Sequence, residues 1–471
     1  MTIGKGRIGR GASFMDNADH EIAAAGAAAA SASRPPLKTQ IVVVGGGAGG
    51  LELVRQLGAR FGRKRHDIIL IDRARTHVWK PLLHEVAAGT LDAALDEVGY
   101  RSHCRRWGYR YVFGAIEGID RMARQVFIAP VLDEDGSELI GRLAIRYDYL
   151  VLAIGGAGND FGTPGVREHC LFLDDRDQAD RFRLRLLDHC VRVSRAMIAD
   201  PSADARVRVA IVGGGATGVE LAAELYNAAS GLAYYGLEVF DESRMDVTLI
   251  EAGPRILPQL PERLAEAARE ELEALGVRVL TGAQVAAAEP HAILTGSGER
   301  IQADLMVWAA GVKGQPVLSQ LDGLETSRDS RLVVLPTLQT SRDPRIFAIG
   351  DCCQCIQPGY ERGVPPRAQA AHQMASAVHA NLVRLMAGRP LRPFVYRDHG
   401  SLVSLSRYAA IGDLMGGLIG GRMAIEGRIA RFVYASLYRQ HLIAIHGWLG
   451  GIARIVIGRV DQVIRPRLKL H

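Results

Sequence analysis

The stretches IVVVGGGAGGLE (residues 41–52) and VAIVGGGATGVE (residues 209–220) decide the fold. Each is a short apolar run, then a glycine-rich turn, then a helical pattern, LELVRQLGARF in the first copy and VELAAELYNAA in the second. Gly45, Gly47 and Gly50 form one G-x-G-x-x-G, and Gly213, Gly215 and Gly218 form the other. In such a turn the first glycine permits the tight exit from the strand and the second lets backbone approach a pyrophosphate. The third allows close packing of helix on strand. The helix N-terminus then presents unpaired N–H groups and a positive dipole end to the phosphates.

Working outward, each copy returns to a second apolar strand that ends in an acid. DIILIDR places Asp72 22 residues after Gly50, and DVTLIEA places Glu251 33 residues after Gly218, with an insertion around 231–246. An acid at this strand end accepts hydrogen bonds from ribose hydroxyls and repels a 2′-phosphate, so Glu251 predicts NADH over NADPH. Arg255 nearby works against this preference, since a guanidinium can hold such a phosphate. A third echo pairs YDYLVLAIGG (147–156) with ADLMVWAAGV (303–312), strands closed by small-residue turns that contain Gly155 and Gly311. A further strand, RIFAIGD (345–351), follows the second unit. Strands alternating with helices predict an α/β fold with two Rossmann-like dinucleotide-binding domains. The expected division is 39–160 with 330–390 as a split first domain, 161–329 as an inserted second domain, and 391–471 as a C-terminal region.

Composition fits a globular chain of 471 residues with 48% hydrophobic and 23% charged residues. The formal net charge of +6 is uneven: residues 391–471 hold 12 basic and 4 acidic residues, a net +8, which leaves −2 for the rest. That asymmetry points to an anionic surface as partner or to a solvated basic face. No nucleic-acid recognition motif is present, so nucleic acid is not an expected partner. Six cysteines are too few for a disulfide framework, and a reducing compartment is expected. Cys352 and Cys355 form a C-x-x-C, readable as a redox dithiol or as a small-residue turn after a buried strand. No metal site is expected. Residues 1–38, with AAAGAAAASASRPP, read as a disordered tail.

The segment TSRDPRIFAIGD (340–351) resembles the two-dinucleotide-binding flavoproteins. In that family the segment closes the FAD site, and its last acid, here Asp351, holds the ribityl chain. The resemblance assigns a tightly held FAD to the first, split domain and NADH as substrate to the insert. Disulfide reductases of this superfamily carry a cysteine pair soon after the first ribose acid, and there is none between Asp72 and His103. The motifs HVWKPLLHEVAAGTLD (77–92), GGGATGVELAAEL (213–225), LMVWAAGVK (305–313), VPPRAQAAHQM (364–374) and IRPRLKLH (464–471) resemble the bacterial type II NADH:quinone oxidoreductases. This resemblance implies a single-subunit enzyme that passes a hydride from NADH to FAD and two electrons to quinone without pumping protons. It implies that Ala368 and Gln369 lie against the flavin, that Gln369 and Gln373 line the quinone path, and that Lys80 sits beside the isoalloxazine. It also places Glu220 near nicotinamide and flavin. Thr217 and Glu220 equally fit a helix capping box worth about 1 kcal/mol.

Quinone is lipid-soluble, yet no segment reaches the roughly 18 apolar residues needed to span a bilayer. Tyr434, Tyr438, His441, Ile445, Trp448, Ile452 and Ile455 recur at helical spacing, with Arg428, Arg439, His446 and Arg454 opposite. They read either as an interfacial helix on anionic headgroups or as a stripe packed on the protein body or a second subunit. Gly447, Gly450 and Gly451 are placed to break that helix in two. The expected location is peripheral, on the cytoplasmic face of the bacterial inner membrane, and a homodimer is a reasonable assembly. A rival reading keeps the fold and changes the acceptor to a sulfide- or ferredoxin-linked one, using Cys352 and Cys355.

Overall fold

A computed structural model describes residues 38–464 and 468, apart from 93–96, 233–234, 238, 362, 406–408 and 417–420. The expected tail falls outside the described residues, as does most of IRPRLKLH.

The duplication read in the sequence is repeated in the hydrogen bonding. The first sheet has six strands in the order Gln339–Thr340, Asp343–Ala348, Tyr149–Leu152, Thr39–Val44, His66–Asp72, Arg110–Phe113. The second has four, in the order Leu305–Trp308, Val207–Val212, Met245–Ile250, Arg278–Leu280. The Val207–Val212 strand is parallel to both of its neighbours, as is Tyr149–Leu152 to its own. In register, Val44 faces Leu152 in one sheet and Val212 faces Trp308 in the other. In each copy a three-stranded antiparallel ribbon interrupts the sheet at the same relative place, 116–146 before Tyr149–Leu152 in the first and 285–302 before Leu305–Trp308 in the second. The strand interiors are apolar because both faces are covered, in the second copy by helices against Val209 and Val247 and by the antiparallel ribbon against Val212 and Trp308; Ile41, Val42 and Val43 are fully buried, as are Val247 and Leu249.

The helix of the second repeat, Ala216–Leu232, is buried on nearly all sides. It lies under the sheet, the short helix Leu83–Ala88 and the C-terminal strand Gly400–Leu405. Leu221 and Leu225 are lost to water there, each stabilising by roughly 1.5–3 kcal/mol. The first-repeat helix, Ala48–Arg65, packs on the helix Ala368–Met386 that carries both candidate glutamines.

After residue 399 the chain forms an antiparallel sheet, Gly400–Leu405, Ala409–Gly416 and Gly421–Glu426, and then the long helix Gly427–Ile464. That helix breaks at Gly447, whose φ of 72° favours a residue without Cβ. The break divides two environments, which corrects the single-stripe reading. Before it, Tyr438, His441, Leu442 and Ile445 pack on the body, and His446, expected opposite with the cations, is buried. After it, Trp448, Leu449, Ile452, Val456 and Ile457 are exposed, while Ile455 still packs on the body. The side chains of Arg428 and Tyr434 lie outside the described residues. No helix among the described residues is long and apolar enough to cross a membrane.

Candidate functional site

Both glycine turns are built the same way. Gly45 leaves its strand with φ 104° and Gly213 with φ 115°, and their N–H groups donate at 2.8 Å to the carbonyls of Ile71 and Ile250. A Cβ on Gly50 would overlap the Gly45 carbonyl oxygen, and one on Gly218 the Gly213 oxygen. Gly47 and Gly215 instead face open space, the position at which backbone can meet a pyrophosphate. The strand-end acids close the turns. Asp72 accepts from Gly46 N–H at 2.5 Å and Ala74 N–H at 2.7 Å, while Glu251 accepts from Gly214 and Gly253 N–H, both at 2.6 Å. Burial pushes the Asp72 carboxyl up, opposed by those amides and by Arg73. Tyr100, which sequence reasoning missed, donates at 2.8 Å to the Gly46 carbonyl. Arg255 is turned away to the carbonyls of Pro258 and Leu260 at 3.0 and 2.8 Å, so its guanidinium is engaged within its own loop.

Asp351 lies beside Gly156, in the short turn after the strand Asp343–Ala348. Burial pushes its carboxyl up, and Lys80 and Arg331 are the cations that oppose this. Lys80 also stands 3.5 Å from Asp174, whose carboxylate accepts from Gly158 N–H at 2.8 Å. The structure therefore gathers Lys80, Asp351, Asp174 and the turn at Gly155 and Gly156 into one charged cluster. Gly155 and Gly311, with φ of 70° and 69°, end the third strands of the two repeats.

The helix Ala368–Met386 begins with no side-chain cap. The amides of Ala368 and Gln369 thus belong to the first turn, which has no intrahelical acceptor. Both glutamine side chains grip one extended segment. Gln369 donates at 2.9 Å to the Gly400 carbonyl and accepts at 3.1 Å from His399 N–H. Gln373 donates at 2.8 Å to the Arg397 carbonyl and accepts at 3.0 Å from Arg397 N–H. Arg367 pairs with Asp398 in the same segment at 3.1 Å.

Glu220 is not a cap. The helix starts at Ala216, and Val219 N–H bonds the Gly215 carbonyl at 3.1 Å, so Gly215 holds the cap position and Thr217 lies in the first turn. The capping-box reading is corrected on that ground. Glu220 is 7% exposed, accepts from Ser404 N–H at 3.1 Å and stands 3.5 Å from His84 Nδ1. Burial lowers His84 to about 4, against the pull of Glu224.

The cysteines do not read as a redox pair. Cys352, Cys353 and Cys355 are buried, and their thiols point to backbone or to Met374 and Gln357. Burial pushes Cys352 up to about 12 and raises Cys353 and Cys355, which removes the thiolate that redox exchange needs. Among the described residues no group of side chains could hold a metal ion.

Against known proteins, residues 39–375 match the pyridine nucleotide-disulphide oxidoreductase family. A type II NADH:quinone oxidoreductase of Haemophilus influenzae is 45% identical over 435 residues, 90% of this chain and 98% of that protein. One from Staphylococcus aureus is 28% identical over 80% of this chain and 89% of its own length. The fold is shared with NDH2 from Plasmodium falciparum, solved in complex with NADH, at a TM-score of 0.74 and 19% identity. That match covers 92% of this chain and 100% of the other. The sulfide:quinone oxidoreductase of Aquifex aeolicus superposes with a TM-score of 0.66 at 18% identity, over 87% of this chain and 92% of its own.

Proposed function

We propose, from the premise that this chain belongs to the pyridine nucleotide-disulphide oxidoreductases and among them to the type II NADH:quinone oxidoreductases, how its residues divide the work of that reaction. The enzyme is FAD-dependent, uses NADH and reduces quinone. The observation that carries the assignment of sites is the pair of equivalent cradles, each with an open second glycine and a strand-end acid held by loop amides.

Gly45, Gly47, Gly50 and Asp72 would hold the adenosine diphosphate half of FAD. Gly155, Asp351 and Lys80 would hold its ribityl and ring region, with the first-turn amides of Ala368 and Gln369. These residues fit that group, since the amides, the open glycine and the acid each have a place on it. When bound, FAD supplies a hydride acceptor and a two-electron donor in one ring system. Gly213, Gly215, Gly218, Glu251 and Gly311 would hold NADH, Glu251 by its ribose. Lys80 places positive charge where electron density accumulates. Gln369 and Gln373 would edge the quinone path, and Glu220 would handle protons close to it. The domains would be 39–160 with 330–390 for FAD, 161–329 for NADH and 391–471 for membrane association.

The exposed group Trp448, Leu449, Ile452, Val456 and Ile457 supports peripheral attachment to an anionic bilayer on its cytoplasmic face, since aromatic and aliphatic side chains beside Arg454 suit that interface. The assembly we propose is a homodimer. The sulfide-linked alternative loses its support with the burial of the three cysteines. The test is NADH oxidation by purified protein with and without a short-chain ubiquinone analogue. Quinone-dependent turnover is expected, and flavin reduction without it would send the electrons elsewhere.

A further inference from the structure

Four titratable side chains from four separate elements form one hydrogen-bonded chain behind the glutamine helix. Glu52, on the first-repeat helix, meets Nδ1 of His372 on the glutamine helix. His372 Nε2 meets Nδ1 of His441 on the C-terminal helix at 3.2 Å. His441 Nε2 meets Nε2 of His77 at 3.0 Å, and His77 has the Gly46 carbonyl as a further partner. Trp79 stacks on His441 with ring centroids 5.3 Å apart, and Tyr438 packs on Trp79.

Counting protons gives this chain a capacity. From Glu52 to the Gly46 carbonyl there are four contacts, and each needs one proton to be a hydrogen bond. Three neutral imidazoles supply three, because each carries one N–H and one lone pair. The carboxylate and the carbonyl at the two ends supply none. All four contacts are made only when one additional proton is present. Burial holds His77 down at about 3 and His441 well below its ordinary value, with each also opposed by its imidazole neighbours. The Glu52–His372 contact is the one place in the chain where a carboxylate meets an imidazole, which gives the additional proton its place by geometry. Other groups face the chain: Arg55 on the helix of Glu52, His103 on the helix Tyr100–Trp107, and His446 on the C-terminal helix. Arg55 lies near enough to feel the Glu52 charge and would stabilise the carboxylate once the proton has left.

The reaction has a matching need. NADH gives up two electrons and one proton as hydride, and the quinol product carries two protons. One proton per turnover must come from the protein and be replaced from water. We propose that the Glu52–His372–His441–His77 chain stores that proton and gives it up from His372 Nδ1 as quinone is reduced, the Glu52–His372 contact opening for the transfer. This rests on the quinone site proposed above. His372 shares a helix face with Gln369 and adjoins Gln373, and its side chain is 21% exposed, whereas His77 and His441 are buried. On release, three protons remain for four contacts, and the chain refills by taking one from solvent.

Glu52→Gln isolates this role. The amide N–H can donate to His372 Nδ1 and the amide oxygen can still accept from Gln56, which lies 2.8 Å from Glu52, so every contact survives while the removable proton is gone. The expected result is an unchanged melting temperature and an unchanged quinone KM. The quinone kcat falls about a hundredfold, within the range for loss of a general acid. Oxidation of NADH by ferricyanide, which takes electrons alone, keeps its rate. His441→Phe, which retains the stack on Trp79, should lower quinone kcat in the same direction and enlarge the solvent deuterium isotope effect. A wild-type quinone kcat in Glu52→Gln, or a raised quinone KM with kcat intact, would overturn the proposal. Failure of the wild-type protein to reduce quinone at all would instead overturn the function it rests on.

Discussion

Gly50 and Gly218 do the same steric job in two different sites, which makes them separable. Gly50→Ala drives a methyl into the Gly45 carbonyl and should yield protein purified without flavin. Gly218→Ala does so at Gly213, and should keep the flavin spectrum while kcat/KM for NADH falls about a hundredfold, the cost of ångström-sized misplacement. Flavin absorbance and NADH kinetics read both. Glu251→Gln removes the charge that repels a 2′-phosphate and keeps one of its two hydrogen bonds, since the amide oxygen can accept from Gly214 or Gly253 N–H but the amide NH2 accepts from neither. The NADPH to NADH ratio of kcat/KM should rise about tenfold, equivalent to ~1.4 kcal/mol. An unchanged ratio would move discrimination to another residue. The two glycines were legible in the sequence because their job is local: strand, turn and helix lie within a dozen positions. His372 and Glu52 were not, since they lie 320 positions apart, and His77 and His441 are 364 apart. No spacing rule joins such residues, and only the packing of four elements brings the imidazoles together.

The C-terminal helix shows where periodicity stops being informative. A repeat of threes and fours identifies a face, but not what covers it. The segment before Gly447 is pinned by His441, Leu442 and Ile445 against the body, while the segment after it presents Trp448, Leu449 and Ile452 to solvent. Gly447 was legible as a break, since glycine alone adopts its φ without strain. A truncation at residue 428 or after Gly447 would strip buried contacts, those of Leu468 and Ile455 among them, so substitution of the exposed residues is the informative change. Replacing Trp448, Leu449 and Ile452 with serine should abolish sedimentation with anionic vesicles and leave NADH:ferricyanide activity in place. Undiminished vesicle binding would place the lipid contact elsewhere. Likewise Glu220 stands out in the sequence beside its glycine turn, but its partners His84 and Ser404 come from elements far away in sequence.

The molecule as a whole keeps several histidines buried and neutral. His77 is held at about 3, and His84, His103 and His446 at about 4, in each case chiefly by desolvation. In the unfolded chain these groups titrate near 6.5, so between about pH 6.5 and 4 the unfolded state binds more protons than the folded one. Stability is therefore full above pH 6.5 and is lost as pH falls toward 4. Melting temperature should decline across that window, and a flat profile would mean that the imidazoles are solvated. The duplicated architecture was legible from glycines, strand-end acids and apolar runs, because each copy restates the other. The assignment of cofactors to copies came from family resemblance, since the two turns are built alike and differ in Asp72 against Glu251.

One chain accepts hydride at one site and passes two electrons on to quinone, and an anaerobic spectral titration of the flavoprotein, first with NADH and then with a short-chain ubiquinone, tests this. One equivalent of NADH should bleach the flavin band, and one equivalent of quinone should restore it in full. Bleaching that quinone does not reverse would contradict this electron path.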